Sequence, residues 1–162
     1  MRYRKEILNQ LYKVLENNTT DARIYFRLAD NCKRSSLRYF FKKLSLQKRL
    51  FCRRIGYEIR ELEKEIEYVN GNTVFQKENI AKKSIHEISL LSADMIGLIT
   101  YCYKREQEYL ELYKTLLSQT NLGSIREMLL SQKHSVQLIL NEINSLRKKV
   151  PNIKNDGEIS YS

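Results

Sequence analysis

Residues 127–143 read EMLLSQKHSVQLILNEI. Leu129, Val136, Ile139 and Ile143 recur in steps of three, four and seven, the period of one face of an α-helix. Gln132 interrupts that face, and His134 stands near the middle of the run. His134 is two residues from Gln132 and two from Val136, about 200° around the helix in each direction, so it is expected to face solvent. Three positions before it, where a Glu would complete the E-x-x-H spacing of a di-iron helix, stands Ser131. No metal ligand is expected from this stretch.

The same alternation of threes and fours marks three further segments. The first seam runs Leu8, Leu11, Leu15, Asn18, Ala22, Tyr25, Ala29, Cys32. The second runs Leu37, Phe40, Leu44, Gln47, Phe51, Ile55, Ile59, Leu62, Ile66, Val69, and the third Ile96, Ile99, Tyr103, Glu106, Leu110, Tyr113, Leu117. The fourth extends the opening stretch from Ile125 through Leu129, Gln132, Val136, Ile139, Ile143 and Leu146 to Val150. With one proline and five glycines in 162 residues, long uninterrupted helices are expected rather than a sheet.

The punctuation fits four helices. Asn31 to Ser36 is polar enough for a tight turn, and NGNT (70–73) offers Gly71 as a C-cap. Ser92 of SADM is the expected N-cap of helix three, while Ser124 and Glu127 of SIRE have capping-box spacing for helix four. Short turns join helices one to two and three to four. About twenty residues, 72–91, lie between these pairs and carry Ile80, Ile85, Ile88 and Leu91, enough for a short amphipathic helix. Two antiparallel hairpins with one long crossover give the ferritin-like topology. The expected fold is therefore an all-α, ferritin-like four-helix bundle over 1–150, followed by a mobile tail over 151–162, PNIKNDGEISYS.

Each seam holds one polar residue near its middle: Asn18, Gln47, Glu106 and Gln132. Such a layer is where ferritin-like proteins hold iron, using two carboxylates and two Glu-x-x-His pairs. The inward pairs here are Leu44/Gln47 and Gln132/Ser135, with Glu106 the one acid in a seam and Asp21 at an edge. That donor set is too poor for two irons, so neither a cofactor nor catalytic residues are expected. Gln47, Gln132 and Glu106 are expected instead to pair with one another or with Tyr25, Tyr103 and Tyr113, as buried polar groups must.

Three stretches resemble helices of a bacterial ferritin-like family, a domain of unknown function distantly related to ferritin and rubrerythrin. CYKREQEYLELYKTLL (102–117) resembles its helix three, with Glu106 and Tyr113; LQKRLFCRRI (46–55) resembles its helix two, with Gln47 and Phe51. IREMLLSQKHSVQLILNEINSLRK (125–148) is similar to its helix four, with Gln132 and Ile143. The resemblance covers roughly residues 5–149. It implies a four-helix bundle, no demonstrated enzyme activity, and a housekeeping or stress-related role in bacteria. This chain departs from the family in its tyrosine content and its net charge of +10.

Much of that charge lies on helix two. From Asn31 to Tyr57 there is no acid, and Arg34, Arg38, Lys42, Arg49 and Arg53 fall on one outer face. Glu58, Glu61, Glu63, Glu65 and Glu67 crowd its far end. A positive stripe of this kind suits a polyanion, nucleic acid or anionic membrane. It suits equally an acidic protein or a second copy of the chain, and a homodimer with antiparallel helices would match the two charge blocks. The opening MRYRKEILNQLYKVLENN has no continuous apolar run, and Cys32, Cys52 and Cys102 form no C-x-x-C pair. Both features point to a cytoplasmic protein without disulfides. The functional expectation is a non-catalytic binding or structural module. The alternatives are polyanion binding by helix two, or a degenerate oxidoreductase holding one metal on Glu106 and Asp21.

Overall fold

The computed structural model describes residues 2–70 and 94–157. Among them are four helices and no strand: α1 (Arg2–Asn31), α2 (Ser35–Asn70), α3 (Met95–Gln119) and α4 (Gly123–Gly157). None of the described helices is long and apolar enough to cross a membrane. The expected crossover helix and the Gly71 cap lie outside the described residues. α4 continues through Pro151 to Gly157, past the point where the sequence suggested that the bundle ends.

The helix ends are fixed by particular hydrogen bonds. Arg38 donates from Nε and Nη2 to the Cys32 carbonyl, at 3.1 and 2.9 Å, closing the α1–α2 turn. α3 is capped by Asp94, whose carboxylate accepts from the Gly97 amide at 2.8 Å; the expected cap, Ser92, lies outside the described residues. Asp is as good a cap as Ser and adds a charge favourable to the helix dipole. The expected Ser124–Glu127 capping box is also corrected. Ser124 lies inside α4 and donates to Glu58 Oε1 on α2 at 2.6 Å, so its hydroxyl joins two helices instead of closing one. Arg126 covers the end of α3, donating to the carbonyls of Leu117 and Thr120.

Contacts between the helix ends establish their directions. Tyr3, at the start of α1, donates to Asn121 just after α3 at 3.0 Å. Arg34, just before α2, reaches Met95 Sδ at the start of α3 at 3.4 Å. α1 is therefore antiparallel to both α2 and α3, and α2 and α3 run the same way. The end of α2 and the start of α3 lie at opposite ends of the bundle. Glu58–Ser124 at one end and Lys43–Glu142 toward the other make α4 antiparallel to α2. Each helix thus packs on two antiparallel neighbours, and α2 and α3 face each other diagonally across the core.

The core is divided. One apolar cluster joins Ile7, Leu8, Leu11 and Val14 to Phe51, Ile55, Ile59, Leu62, Ile66, Leu116, Ile125 and Leu129. The other joins Ile24, Tyr25, Leu28 and Ala29 to Leu37, Phe40, Phe41, Leu44, Ile99, Cys102, Ile139 and Ile143. A polar layer lies at the boundary. α3 is turned slightly from its expected seam: Ile99, Glu106 and Tyr113 are buried as expected, but they are joined by Cys102, Tyr109 and Leu116. Tyr103, Leu110 and Leu117 are half-buried along the edge, and Ile96 is exposed.

Leu129 is fully buried and its neighbour Leu130 is exposed. Leu129→Ala should therefore cost about 2–5 kcal/mol, whereas Leu130→Ala should stay within about 0.5 kcal/mol of the parent. Urea titration of the two variants checks the rotation of α4; equal losses would contradict it.

Candidate functional site: a buried ionic layer

Nine side chains meet at mid-bundle. α1 supplies Asn18, Asp21 and Tyr25, which share one face through steps of three and four; α3 supplies Glu106, Tyr109 and Tyr113 with the same spacing. α3 also brings Arg105, while Lys48 comes from α2 and Gln132 from α4.

The central contact is diagonal. Lys48 Nζ donates to Glu106 Oε1 at 2.7 Å, and both side chains are 0% exposed. Glu106 Oε2 accepts from the Tyr25 hydroxyl at 3.1 Å. The ammonium also lies over two aromatic faces, 4.0 Å from the centroid of Tyr109 and 5.4 Å from that of Phe51. Removing two charges from water costs several kcal/mol per ion, recovered only where geometry is good and the remaining donors and acceptors are occupied. Glu106 has a partner on each oxygen, and the two π faces add to the attraction on Lys48.

A second pair adjoins the first. Arg105 Nε donates to Asp21 Oδ2 at 2.6 Å, the same oxygen accepts from the Tyr109 hydroxyl, and Asp21 is buried. Arg105 Nη1 reaches Glu108 at 2.8 Å, and its guanidinium lies 5.2 Å from the Tyr109 ring. Tyr109 thus stands between two cations and links the pairs. Asp21 Oδ1 and Arg105 Nη2 are buried without a hydrogen-bond partner, so this pair is held at one oxygen and is not the two-pronged fork that strengthens an Arg–carboxylate contact.

An amide contact completes the layer. Gln132 Oε1 accepts from the Tyr113 hydroxyl at 2.7 Å, and its Nε2 approaches the Phe51 carbonyl at 3.5 Å. Asn18 donates to the Val14 carbonyl at 2.8 Å, leaving its Oδ1 without a partner.

Burial, the largest cause in each case, pushes the Tyr25, Tyr109 and Tyr113 hydroxyls above their usual range, and nearby carboxylates add to it. The Cys102 thiol is pushed well up for the same reason. These groups are held protonated, and both carboxylates are matched by bases. Among the described residues, no three His, Cys, Asp or Glu side chains come together in a way that could hold a metal ion. The donor set does not fit a di-iron centre, nor one metal shared by Asp21 and Glu106, since each acid already holds a cation of the chain.

Of the expected polar residues, Asn18, Glu106 and Gln132 are in the layer, but Glu106 pairs with neither amide. Gln47 is corrected. It is half-buried, its Oε1 has no partner, and the adjacent Lys48 points inward instead. Steps of three and four from Leu44 and Phe51 admit either residue, and only the burial of a charged side chain separates them. Tyr103 is not in the layer and accepts from Gln107 at 2.9 Å. Asp21 lies fully inside, not at an edge. His134 is exposed.

The basic face has two parts. Arg34, Arg38, Lys42, Arg49 and Arg53 are all exposed, but Arg34 and Arg38 are engaged at the α1–α2 turn. Arg49 lies 5.3 Å over the Phe26 ring. There a shallow groove of about 290 Å³ runs between α1 and α2, lined by Thr19, Ala22, Arg23, Phe26, Arg49 and Cys52. Reading helix two alone left out Arg23, which comes from α1.

No protein-family model, curated protein or solved structure matches this chain.

Two outcomes follow from the layer. Glu106→Ala strands the Lys48 charge and should lose about 3–5 kcal/mol, whereas Lys48→Met with Glu106→Gln removes both charges and should lose less than the sum of its two single changes. Additive losses in urea titration would show that the two side chains do not meet. Alkali gives an independent check. The raised folded values mean that the unfolded chain releases tyrosine protons first, near its ordinary value of 10.0. Stability is therefore complete below that pH and should fall above it. The tyrosinate absorbance contributed by Tyr25, Tyr109 and Tyr113 should rise together with loss of helical circular dichroism; full tyrosine ionisation before any unfolding would contradict the burial.

Proposed function

We propose that this protein is a non-catalytic, ferritin-like helical bundle that lacks a functional di-iron centre and serves as a binding or structural module. The observation that carries this reading is the Lys48 ammonium on Glu106 at mid-bundle, fully enclosed. The reading also has support from the up-down-down-up order of the helices, in which α2 and α3 run the same way. In a ferritin-like bundle the central carboxylates balance metal cations. Here Lys48 and Arg105 supply the positive charge, and a metal ion would have to displace an ammonium or a guanidinium. What the bundle binds must then meet its surface. Metal analysis tests this: protein purified and then exposed to Fe(II), Mn(II) or Zn(II) should retain far less than one ion per chain and show no ferroxidase activity. Two tightly held ions per chain would overturn it.

A second reading, polyanion binding, draws on the α1–α2 groove. Arg23 and Arg49 flank Phe26 there, and Lys42 and Arg53 are exposed on the same helix as Arg49. Cations beside an aromatic ring suit phosphates and a stacked base. Affinity for single-stranded RNA or DNA should then fall steeply with salt. Arg49→Gln with Arg53→Gln should flatten that dependence by about two counterions while leaving stability nearly unchanged. Absence of binding at low salt would remove this reading.

A further inference from the structure

α2 carries a second apolar row on the side facing away from the core. Tyr39, Leu46, Leu50 and Tyr57 follow one another at steps of seven, four and seven, and Tyr68 continues the row eleven residues on. These steps hold one line along a helix, with the charged side chains of Lys43, Arg53 and Lys64 set between the apolar ones. All five are exposed: Leu46 and Leu50 are 57% and 51% exposed, and Tyr68 is 92% exposed. α2 thus has two seams, and the bundle uses one. Scattered surface leucines need no explanation, but an aligned row on one helix does.

We propose that this row is the contact of a two-fold symmetric homodimer in which the α2 helices of two copies lie antiparallel, crossing near Tyr57. The charge along α2 selects the occupant. Arg49, Arg53 and Arg54 flank the row on its basic half, and on its other half Glu61, Glu65 and Glu67 outnumber Arg60 and Lys64, all on the same helix. A parallel pairing sets base on base and acid on acid. Turning the helix about an axis at Tyr57 instead sets Arg53 opposite Glu61 and Arg49 opposite Glu65 and near Glu67, against one kind of like-charge match, Arg54 opposite Arg60. Leu46 then meets Tyr68, Leu50 lies against the stem of Lys64, and Tyr57 meets its own mate. Such a contact is isologous and closes after two copies.

The competing contacts are weak. Glu61 pairs with Lys64 at 3.2 Å and Glu65 with Arg4 at 3.3 Å, both on exposed surface, where ion pairs contribute little. The net charge of +10 opposes association of whole chains, so the local match of the two halves decides orientation.

Sedimentation equilibrium of the whole chain over a concentration series should give a dimer. Leu46→Glu with Leu50→Glu should sediment as a monomer with the parent's circular dichroism. Two charge variants, Arg49→Glu with Arg53→Glu and Glu61→Lys with Glu67→Lys, should each be monomeric, and their mixture should dimerise. Orientation is read by oxidative cross-linking against the parent chain. Tyr57→Cys should link copy to copy, while Tyr39→Cys should not, because two Tyr39 positions would be about 54 Å apart at 1.5 Å per residue. A parent chain that stays monomeric, a mixture that does not associate, or cross-linking through Tyr39→Cys would each overturn the proposal.

Discussion

The contact between Lys48 and Glu106 is the constraint on which the rest of the bundle depends. It runs diagonally, from α2 to α3, joining two helices that do not pack side by side. A hydrophobic core alone accepts small rotations and slips, because apolar contacts lack direction. A buried charge accepts very few. Once Lys48 is inside, Glu106 must be opposite it, and α3 must turn so that Glu106 points to the axis. That turn brings Cys102, Tyr109 and Leu116 inward and leaves Tyr103, Leu110 and Leu117 at the edge.

The tyrosines follow from the same requirement. An ion pair in a low-dielectric interior needs donors for its remaining lone pairs and a polarisable surface for its cation. Tyr25 supplies the first to Glu106 and Tyr109 the second to Lys48. The Tyr109 hydroxyl then needs an acceptor of its own, which is Asp21, and Asp21 needs a counter-charge, which is Arg105. One buried lysine thus accounts for a chain of partners from the centre of the core to the half-buried rim. The layer separates two apolar clusters that would otherwise be continuous.

The four helices, both short turns and the apolar rows of all but α3 were legible in the sequence because a repeated three–four spacing has few other meanings. Mid-helix polar positions were legible too: Asn18, Glu106 and Gln132 interrupt apolar rows and are buried. Lys48 was not. It follows Gln47, the amide is the cheaper residue to bury, and lysine on a helix usually carries its charge to water. The signal that would have found it is the excess acid. Glu106 and Asp21 lie on core-facing steps with no base beside them in their own seams, so a cation had to come from another helix. The cap at Ser124 misled for a related reason: a serine near a helix start can serve its own backbone or a neighbouring carboxylate, and Glu58 across the groove decides.

The most direct measurement is of the Lys48 ammonium itself. In ¹⁵N-labelled protein, a side chain enclosed against Glu106 and Tyr109 should give ammonium protons that exchange slowly with water. They should show Overhauser contacts to the Tyr109 ring and an upfield ring-current shift, all lost in Glu106→Ala. Ammonium protons at Lys48 that exchange as fast as those of a surface lysine, without contact to Tyr109, would place its charge in solvent and contradict the account.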